Sequence, residues 1–421
     1  MRPAGLSAYI AVTAAYWAFM LSDGALRMLV LLHFHGLGFS PVQLAYLFLL
    51  YEVAGIVTNL SAGWIAARFG LTRTLYAGLG LQVLALVALA ALDPAWSLWG
   101  SVAYVMAVQG ASGVAKDLAK MSSKSAVKLL APAGQGGLFA WVAVLTGSKN
   151  AVKGAGFLMG ALLLGGVGFT GSVLGMALVL AVILAAVAIW MPEGLPKGRK
   201  GATFSEVFSK DVNVNWLSFA RVFLFGARDV WFVVGIPIYF YAVLSDGTEA
   251  GNRAAFFAIG SFMAVWTILY GVVQAWAPRL LGARRRSEGD LVAAARHWVA
   301  ALVVVPALLA VLVWAAGAPA PWLTGVIIVG LLVFGAIFAV NSSLHSYLIL
   351  AFTSGERVTM DVGFYYMANA AGRLLGTLLS GLSYQLGGLP ACLGTAAALL
   401  LVSRYGAGQL GQRRADPHEP V

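Results

Sequence analysis

The sequence predicts an all-α polytopic membrane protein, with twelve transmembrane helices arranged as two six-helix bundles. Three observations carry that prediction. Of 421 residues, 61% are hydrophobic and 10% are charged, giving a mean hydropathy of +0.87. A water-soluble domain cannot bury that much apolar surface. The apolar residues fall into long runs separated by short polar turns. The positive charges, finally, sit almost entirely on one side of those runs.

Twelve runs qualify as spans: 8–32, 41–65, 74–92, 97–116, 138–165, 171–191, 213–243, 254–277, 296–316, 322–350, 359–386 and 389–405. Several exceed the ~20 residues needed to cross the hydrocarbon core, which implies tilt or extension into the headgroups. The first run is too long for the apolar core of a cleavable signal peptide and lacks a persuasive cleavage site. Ser40-Pro41 before the second run reads as an N-cap followed by proline at the first helical position. Gly156-x-x-x-Gly160 and Gly372-x-x-x-Gly376 have the spacing that lets helix backbones approach closely.

With the N-terminus placed in the cytoplasm, 20 of the 27 Lys and Arg residues fall in cytoplasmic segments and only Arg253 in an outer loop. This is the positive-inside pattern with both termini cytoplasmic. It also accounts for the net charge of +11 without nucleic acid. The polar stretch within 192–212 divides the chain into an N-terminal bundle, 1–191, and a C-terminal bundle, 213–405, with 406–421 as a cytoplasmic tail of disordered composition. The halves echo one another. GWIAARFGLTR (63–73) follows the second span and APRLLGAR (277–284) the eighth, while Lys149-x-x-x-Lys153 in the fifth span matches Asn369-x-x-x-Arg373 in the eleventh. Parallel repeats of this kind build two-bundle secondary transporters, with the site between the halves near the midplane.

The six bases inside the spans are Arg27, Lys149, Lys153, Arg221, Arg228 and Arg373. A base at the bilayer centre costs ~2.5–3.5 kcal/mol on insertion scales, so such residues face a cavity or a partner. Lys149 and Lys153 share a helix face. They either meet an anion or are neutralised by carboxylates from other helices. Asp23 and Arg27 are also four apart and could pair with each other. Glu52 lies mid-span in the second helix and could titrate or neutralise a lysine. Asp229 follows Arg228 but should point elsewhere on the helix, leaving one arginine free. Against three acids, Asp23, Glu52 and Asp229, the six bases leave a surplus of about three positive charges, which would attract a multiply charged anion.

The expected substrate-binding residues are therefore Lys149, Lys153, Arg228 and Arg373, with Arg27 nearer the outside and the amides Asn150 and Asn369 alongside. Asp23, Glu52 and Asp229 are the expected coupling or charge-balancing groups. Lys116, Lys120, Lys124 and Lys128 form a stripe leaving the fourth span, expected to be solvated or to face headgroups. Asn341 and His345 could hydrogen-bond a ligand or bridge helices. Asp361 is expected to cap or pair at its helix end. His33 and His35 point their rings apart, so no metal site is expected there. The single cysteine, Cys392, excludes a multi-thiolate centre within the chain. No cofactor is expected.

Over nearly its whole length the chain resembles the major facilitator superfamily. The turn after the second span is similar to that superfamily's loop motif, although Ala67 stands before Arg68 where an acid is usual. Gln109-Gly110 resembles the fourth-helix motif of proton antiporters, but Met106 replaces its arginine. Gly156, Gly160, Gly165 and Gly166 loosely echo the fifth-helix antiporter motif, without its proline. These departures argue against simple proton–drug antiport. Four strings carry a closer resemblance: YWAFMLSDGALRMLVLLHFHGLGF (16–39), GVAKDLAKMSSKSAVKLL (113–130), LTGSKNAVKG (145–154) and FLFGARDVWFVV (223–234). Together they resemble the ArsJ-type organoarsenical efflux permeases of bacteria.

That resemblance implies a multi-pass protein of the bacterial inner membrane that exports 1-arseno-3-phosphoglycerate and so confers arsenate resistance. It also implies a functional link to glyceraldehyde-3-phosphate dehydrogenase, which makes the ester in the cytosol; outside, the ester falls apart to arsenate and 3-phosphoglycerate. The charge reading agrees, because the substrate is strongly anionic. A single cysteine fits too, since trivalent arsenic is held by several thiolates whereas a pentavalent ester needs oxyanion donors. An organophosphate/phosphate exchanger would show the same charge logic. A membrane enzyme should gather its polar residues at one membrane face, and a scaffold or receptor has no use for midplane bases. Neither pattern is present, so an enzyme is not expected.

Overall fold

The computed structural model describes residues 4–130, 137–191, 209, 211–282, 287–353 and 358–411. Within them the chain forms α1 (Ala4–Gly36), α2 (Pro41–Tyr46), α3 (Leu49–Phe69), α4 (Leu71–Ala90), α5 (Leu98–Leu130), α6 (Gly137–Trp190), α7 (Val212–Val230), a π-helical turn (Trp231–Gly235), α8 (Ile236–Leu244), α9 (Glu249–Leu280), α10 (Glu288–Ala316), α11 (Pro321–Phe352) and α12 (Val358–Gly408). No strand occurs among the described residues.

Nine stretches of the described residues are long and apolar enough to cross a membrane. Two of them, Ser148–Trp190 and Asp361–Gly408, hold two spans each. Gly168 interrupts the first at φ 72°, and Gly388 the second at φ 62°. Left-handed φ is cheap only for glycine, so each break is written into the sequence. The more polar α5, 33 residues long, is the remaining crossing. The twelve expected spans are thus accounted for among the described residues. Large apolar side chains such as Leu84, Leu178 and Leu308 stand exposed on the outer surface, as lipid-facing residues must.

Local chemistry sets the helix boundaries that matter. Ser40 caps α2: its hydroxyl accepts from Gln43 N at 3.3 Å, and its own N–H donates to Gln43 Oε1 at 2.8 Å. Pro41 takes the first helical position, where its missing N–H has no partner to lose. α5, the expected fourth span, runs on to Leu130, well past the expected end at 116. The linker 192–208, Arg284–Arg286, Arg357 and the tail 412–421 lie outside the described residues. So do the side chains of Lys124, Lys128 and most of the 63–73 turn.

Two apolar cores divide largely by half. One draws mainly on residues between Val12 and Leu180, the other mainly on residues between Val214 and Leu410. Small residues set the helix crossings. Gly24 of α1 meets Gly156 of α6, and Gly226 of α7 meets Gly376 of α12. The halves meet where Gly154 and Ala161 of α6 pack on α9. They meet again where Gly381 seats on Pro41 and Gly55 on Ala370. Buried polar and charged residues occur on α1, α3, α5, α7, α11 and α12, among them Asp23, Glu52, Asp117, Asp229 and Asn341.

Candidate functional site

Position 23 on α1 and position 153 on α6 come together because Gly24 and Gly156 let the two backbones touch. Lys153 Nζ donates to Asp23 Oδ2 at 2.8 Å, and Tyr51 Oη donates to Asp23 Oδ1 at 2.5 Å. Asp23 therefore pairs with Lys153, not with Arg27. Arg27 reaches Glu52 on α3 instead, at 3.3 Å. Four residues of helical spacing place Asp23 and Arg27 on one face, but a partner on each crossing helix is nearer.

Glu52 is fully buried and joins the halves: Arg373 of α12 donates to the same Oε1 at 2.6 Å. Arg373 also approaches Asp229 Oδ2 at 3.9 Å. Asp229 in turn holds Arg228, whose Nε lies 2.6 Å from Oδ1. The expectation that Arg228 and Asp229 diverge is thus corrected. Their Cα–Cβ bonds do diverge, but the long guanidinium stem folds back around the helix onto its neighbour. The helix loosens into its π turn two residues later. There Ser380 Oγ accepts from Val234 N at 3.1 Å and from Gly235 N at 3.2 Å, satisfying donors exposed by the irregular backbone.

Tyr51 stands at the centre of this network and was not among the expected site residues. Its ring lies 4.0 Å from Lys116 Nζ, 5.7 Å from the Arg27 guanidinium and 5.9 Å from that of Arg373. A tyrosine face attracts cations, while its hydroxyl donates to Asp23. Only its position next to Glu52 could have flagged it.

The expectation of a solvated or headgroup-facing stripe is also corrected for Lys116 and Lys120; Lys124 and Lys128 lie outside the described side chains. Lys116 is buried. Lys120 donates to Asp117 Oδ1 and to Asn59 Oδ1, both at 2.6 Å, and Thr58 donates to Asp117 Oδ2 at 2.6 Å. The stripe is enclosed here because Gly113 of α5 abuts Tyr51 of α3, which brings the Asn59 turn over the lysines. Asp117, set among the lysines, was the available signal.

Lys149 and Asn150 are half-buried on α6, one turn before Lys153. Asn150 Nδ2 donates to Gln274 Oε1 of α9 at 3.4 Å, and Asn369 Oδ1 accepts from Arg221 Nε at 3.1 Å. Among the sequence-based site residues, Arg27, Arg373, Asp229 and Arg228 are linked through Glu52 and Asp229, and Lys153 is paired with Asp23. Of the two readings offered for Lys153, neutralisation by a carboxylate on another helix holds, and Arg27, Arg228 and Arg373 each touch a carboxylate as well. What persists is an imbalance. Seven bases of the described interior (Arg27, Lys116, Lys120, Lys153, Arg221, Arg228, Arg373) stand against five buried carboxylates (Asp23, Glu52, Asp117, Asp229, Asp361). A carboxylate holding two guanidiniums is the arrangement a substrate oxyanion can enter by exchange, since arginine binds either ligand in the same forked geometry.

The remaining candidates are structural. His33 stacks on Phe169 at 4.0 Å while His35 meets the edge of Tyr241 at 4.8 Å, so the rings go to different partners. Asp361 accepts from Thr353 Oγ1 at 2.8 Å, as a helix-end residue should. Cys392 is buried against Gly235 and Ser380.

No protein-family profile and no curated protein sequence matches the chain. Solved structures do. The chain is similar to a proton-dependent oligopeptide transporter over 95% of this chain and 96% of that one, with TM-score 0.67 and 13% identity. It is similar to the nucleoside transporter NupG over 96% and 98%, with TM-score 0.66 and 15% identity. A bacterial homologue of the iron transporter ferroportin, in an inward-facing state, aligns over 97% and 99%, with TM-score 0.68 and 13% identity. At such identities the likeness speaks for fold alone. The all-helical chain with glycine-set contacts within each half agrees with it: the chain has the fold of these transporters.

Proposed function

We propose that the protein is a secondary active transporter that exports a small, multiply charged anion from the cytoplasm by alternating access. The substrate that fits best is an organoarsenical phosphate ester, 1-arseno-3-phosphoglycerate, so that the gene confers arsenate resistance together with glyceraldehyde-3-phosphate dehydrogenase. The carrying observation is the excess of bases over carboxylates in the interior, seven against five among the described residues, with Arg221 in no ion pair there. Buried cations without equal compensation are costly, and an anionic passenger offsets that cost while it is bound. The strings at 16–39, 113–130, 145–154 and 223–234 supply the arsenical part of the reading.

In this reading the anion binds between the halves near Lys149, Lys153, Arg228 and Arg373, with Arg27 nearer the outside and Asn150 and Asn369 as neutral donors. It displaces carboxylates from their guanidinium partners. Glu52, bound by Arg27 in one half and Arg373 in the other, is the natural member to be released, and its release loosens the tie between the halves. Asp23 and Asp229 hold the remaining bases in place while this happens. The halves then rock to expose the site on one side at a time. Residues 1–191 and 213–405 are the two rocking bodies, joined by the linker 192–212, in an inner membrane with both termini cytoplasmic.

The test is arsenate resistance in cells lacking their own exporter, with and without co-expressed dehydrogenase. Lys149→Ala and Lys153→Ala should each abolish resistance while reaching the membrane at wild-type levels. Resistance equal to wild type in both, at equal expression, removes this site. Phosphate-ester exchange in vesicles without any resistance phenotype would instead favour an organophosphate/phosphate exchanger, which the same charge imbalance supports.

A further inference from the structure

Arg221 lies two helical turns before Arg228 on α7, and its surroundings differ in kind from those of the other interior arginines. It is 4% exposed. The ion pairs of the described residues give it no carboxylate. Its Nε donates to Asn369 Oδ1 at 3.1 Å, and its Nη1 lies 3.3 Å from both the carbonyl and the hydroxyl of Ser342.

Ser342 Oγ is overcommitted. Arg221 Nη1, Tyr270 Oη and Gln274 Nε2 all point at it, each from 3.3 Å. A hydroxyl oxygen has two lone pairs, so three donors exceed what it can accept, and three equal long contacts are what competition for too little acceptor produces. One turn along the same face of α11, His345 is fully buried with neither ring nitrogen bonded. A buried cation among surplus donors lacks one thing, an anionic oxygen.

We infer that this cluster is a second anion subsite, and that the transported species carries two anionic groups a few bonds apart. The inference rests on the proposed transport of an anion. It adds that Arg221, with Ser342, Tyr270 and Gln274, holds one anionic group while the Arg228–Arg373–Lys153 region holds the other. The spacing suits a small molecule. The Arg221 and Arg228 guanidiniums lie 4.0 and 5.0 Å from the centre of the same Phe225 ring, so their separation cannot exceed those two distances laid end to end. A three-carbon chain with a charged group at each end is of the size to reach both guanidiniums.

The test compares three probes on the purified full-length protein by titration calorimetry: inorganic phosphate, glycerol 3-phosphate and 3-phosphoglycerate. The last two differ chiefly in the second anionic group. Wild type should bind 3-phosphoglycerate at least tenfold more tightly than glycerol 3-phosphate. Arg221→Gln should erase that difference while leaving glycerol 3-phosphate affinity within twofold, which also shows the variant to be folded. Arg221→Lys should restore part of it. Equal affinities in wild type, or equal loss of both esters in Arg221→Gln, overturns the second subsite and leaves the anion-transport reading standing. Failure of wild type to bind any of the three overturns both.

Discussion

The two halves contain the same helix crossing with different electrical fittings. In the N-terminal half, α1 and α6 meet at Gly24 and Gly156; in the C-terminal half, α7 and α12 meet at Gly226 and Gly376. Three residues before the second glycine of each crossing stands a base, Lys153 or Arg373. Each faces an acid on the helix it crosses. Lys153 holds Asp23 at 2.8 Å, whereas Arg373 stands 3.9 Å from Asp229 and gives its close contact to Glu52 of the other half. The N-terminal crossing is thus electrically closed on itself, and the C-terminal one is tied across the interface. A pseudo-symmetric frame carries an asymmetric load, and the asymmetry lies where two bundles would part during transport.

The sharpest way to break that comparison is to remove Glu52. Glu52→Gln leaves Arg27 and Arg373 buried without their shared carboxylate. Stripping one partner from a buried pair costs about 3–5 kcal/mol, so the thermal midpoint in detergent should fall steeply. Asp229→Asn should cost less, because Arg373 keeps Glu52 and only Arg228 is stranded. Adding Arg27→Gln to Glu52→Gln should recover part of the loss. Equal midpoints for Glu52→Gln and Asp229→Asn would show that the interface tie is no stronger than the contacts within the C-terminal half.

The glycine crossings differ more gently. A Cβ at Gly24 would sit 2.5 Å from the Lys153 carbonyl oxygen, whereas one at Gly226 would sit 3.2 Å from the Gly372 carbonyl oxygen. The first must push two backbones apart; the second asks a neighbour for a few tenths of an ångström. Gly24→Ala should cost ~1–3 kcal/mol, the usual range for overpacking, and Gly226→Ala under ~1 kcal/mol. Chemical unfolding of the two variants side by side checks the order. A larger loss at Gly226 would mean that the C-terminal crossing is the tighter one.

How much of this was legible in the sequence follows from range. Hydropathy and local backbone chemistry are short-range, so the spans, the Ser40-Pro41 start and the Gly387-Gly388 break all read directly. Gly156-x-x-x-Gly160 and Gly372-x-x-x-Gly376 announced close packing, though not the partners. The ion pairs depend on residues far apart in the chain. Nothing local tells Asp23 to choose Lys153, 130 positions away, over Arg27, four away. The same blindness let Lys116 and Lys120 pass as a solvated stripe, because their cover, Tyr51 and Asn59, comes from another helix. Arg221 was counted among the embedded bases but not as a site residue. Its distinction is the lack of a carboxylate, and a partner's absence is written nowhere near it.

The finest probe of the asymmetry is a pair of double-mutant cycles. Lys153 and Asp23 are in direct contact, so Lys153→Gln with Asp23→Asn should show a coupling of about 1 kcal/mol, within the range for residues sharing one network. Arg373 and Asp229 are separated by more than a hydrogen bond, and Glu52 and Arg228 compete for them. Their cycle, Arg373→Gln with Asp229→Asn, should give under ~0.5 kcal/mol, the additivity expected of sites that are not directly paired. Couplings of equal size would mean that the two crossings carry equivalent ion pairs after all. Arg373 would then belong to the C-terminal half as Lys153 belongs to the N-terminal one, and its contact with Glu52 would not set the C-terminal crossing apart.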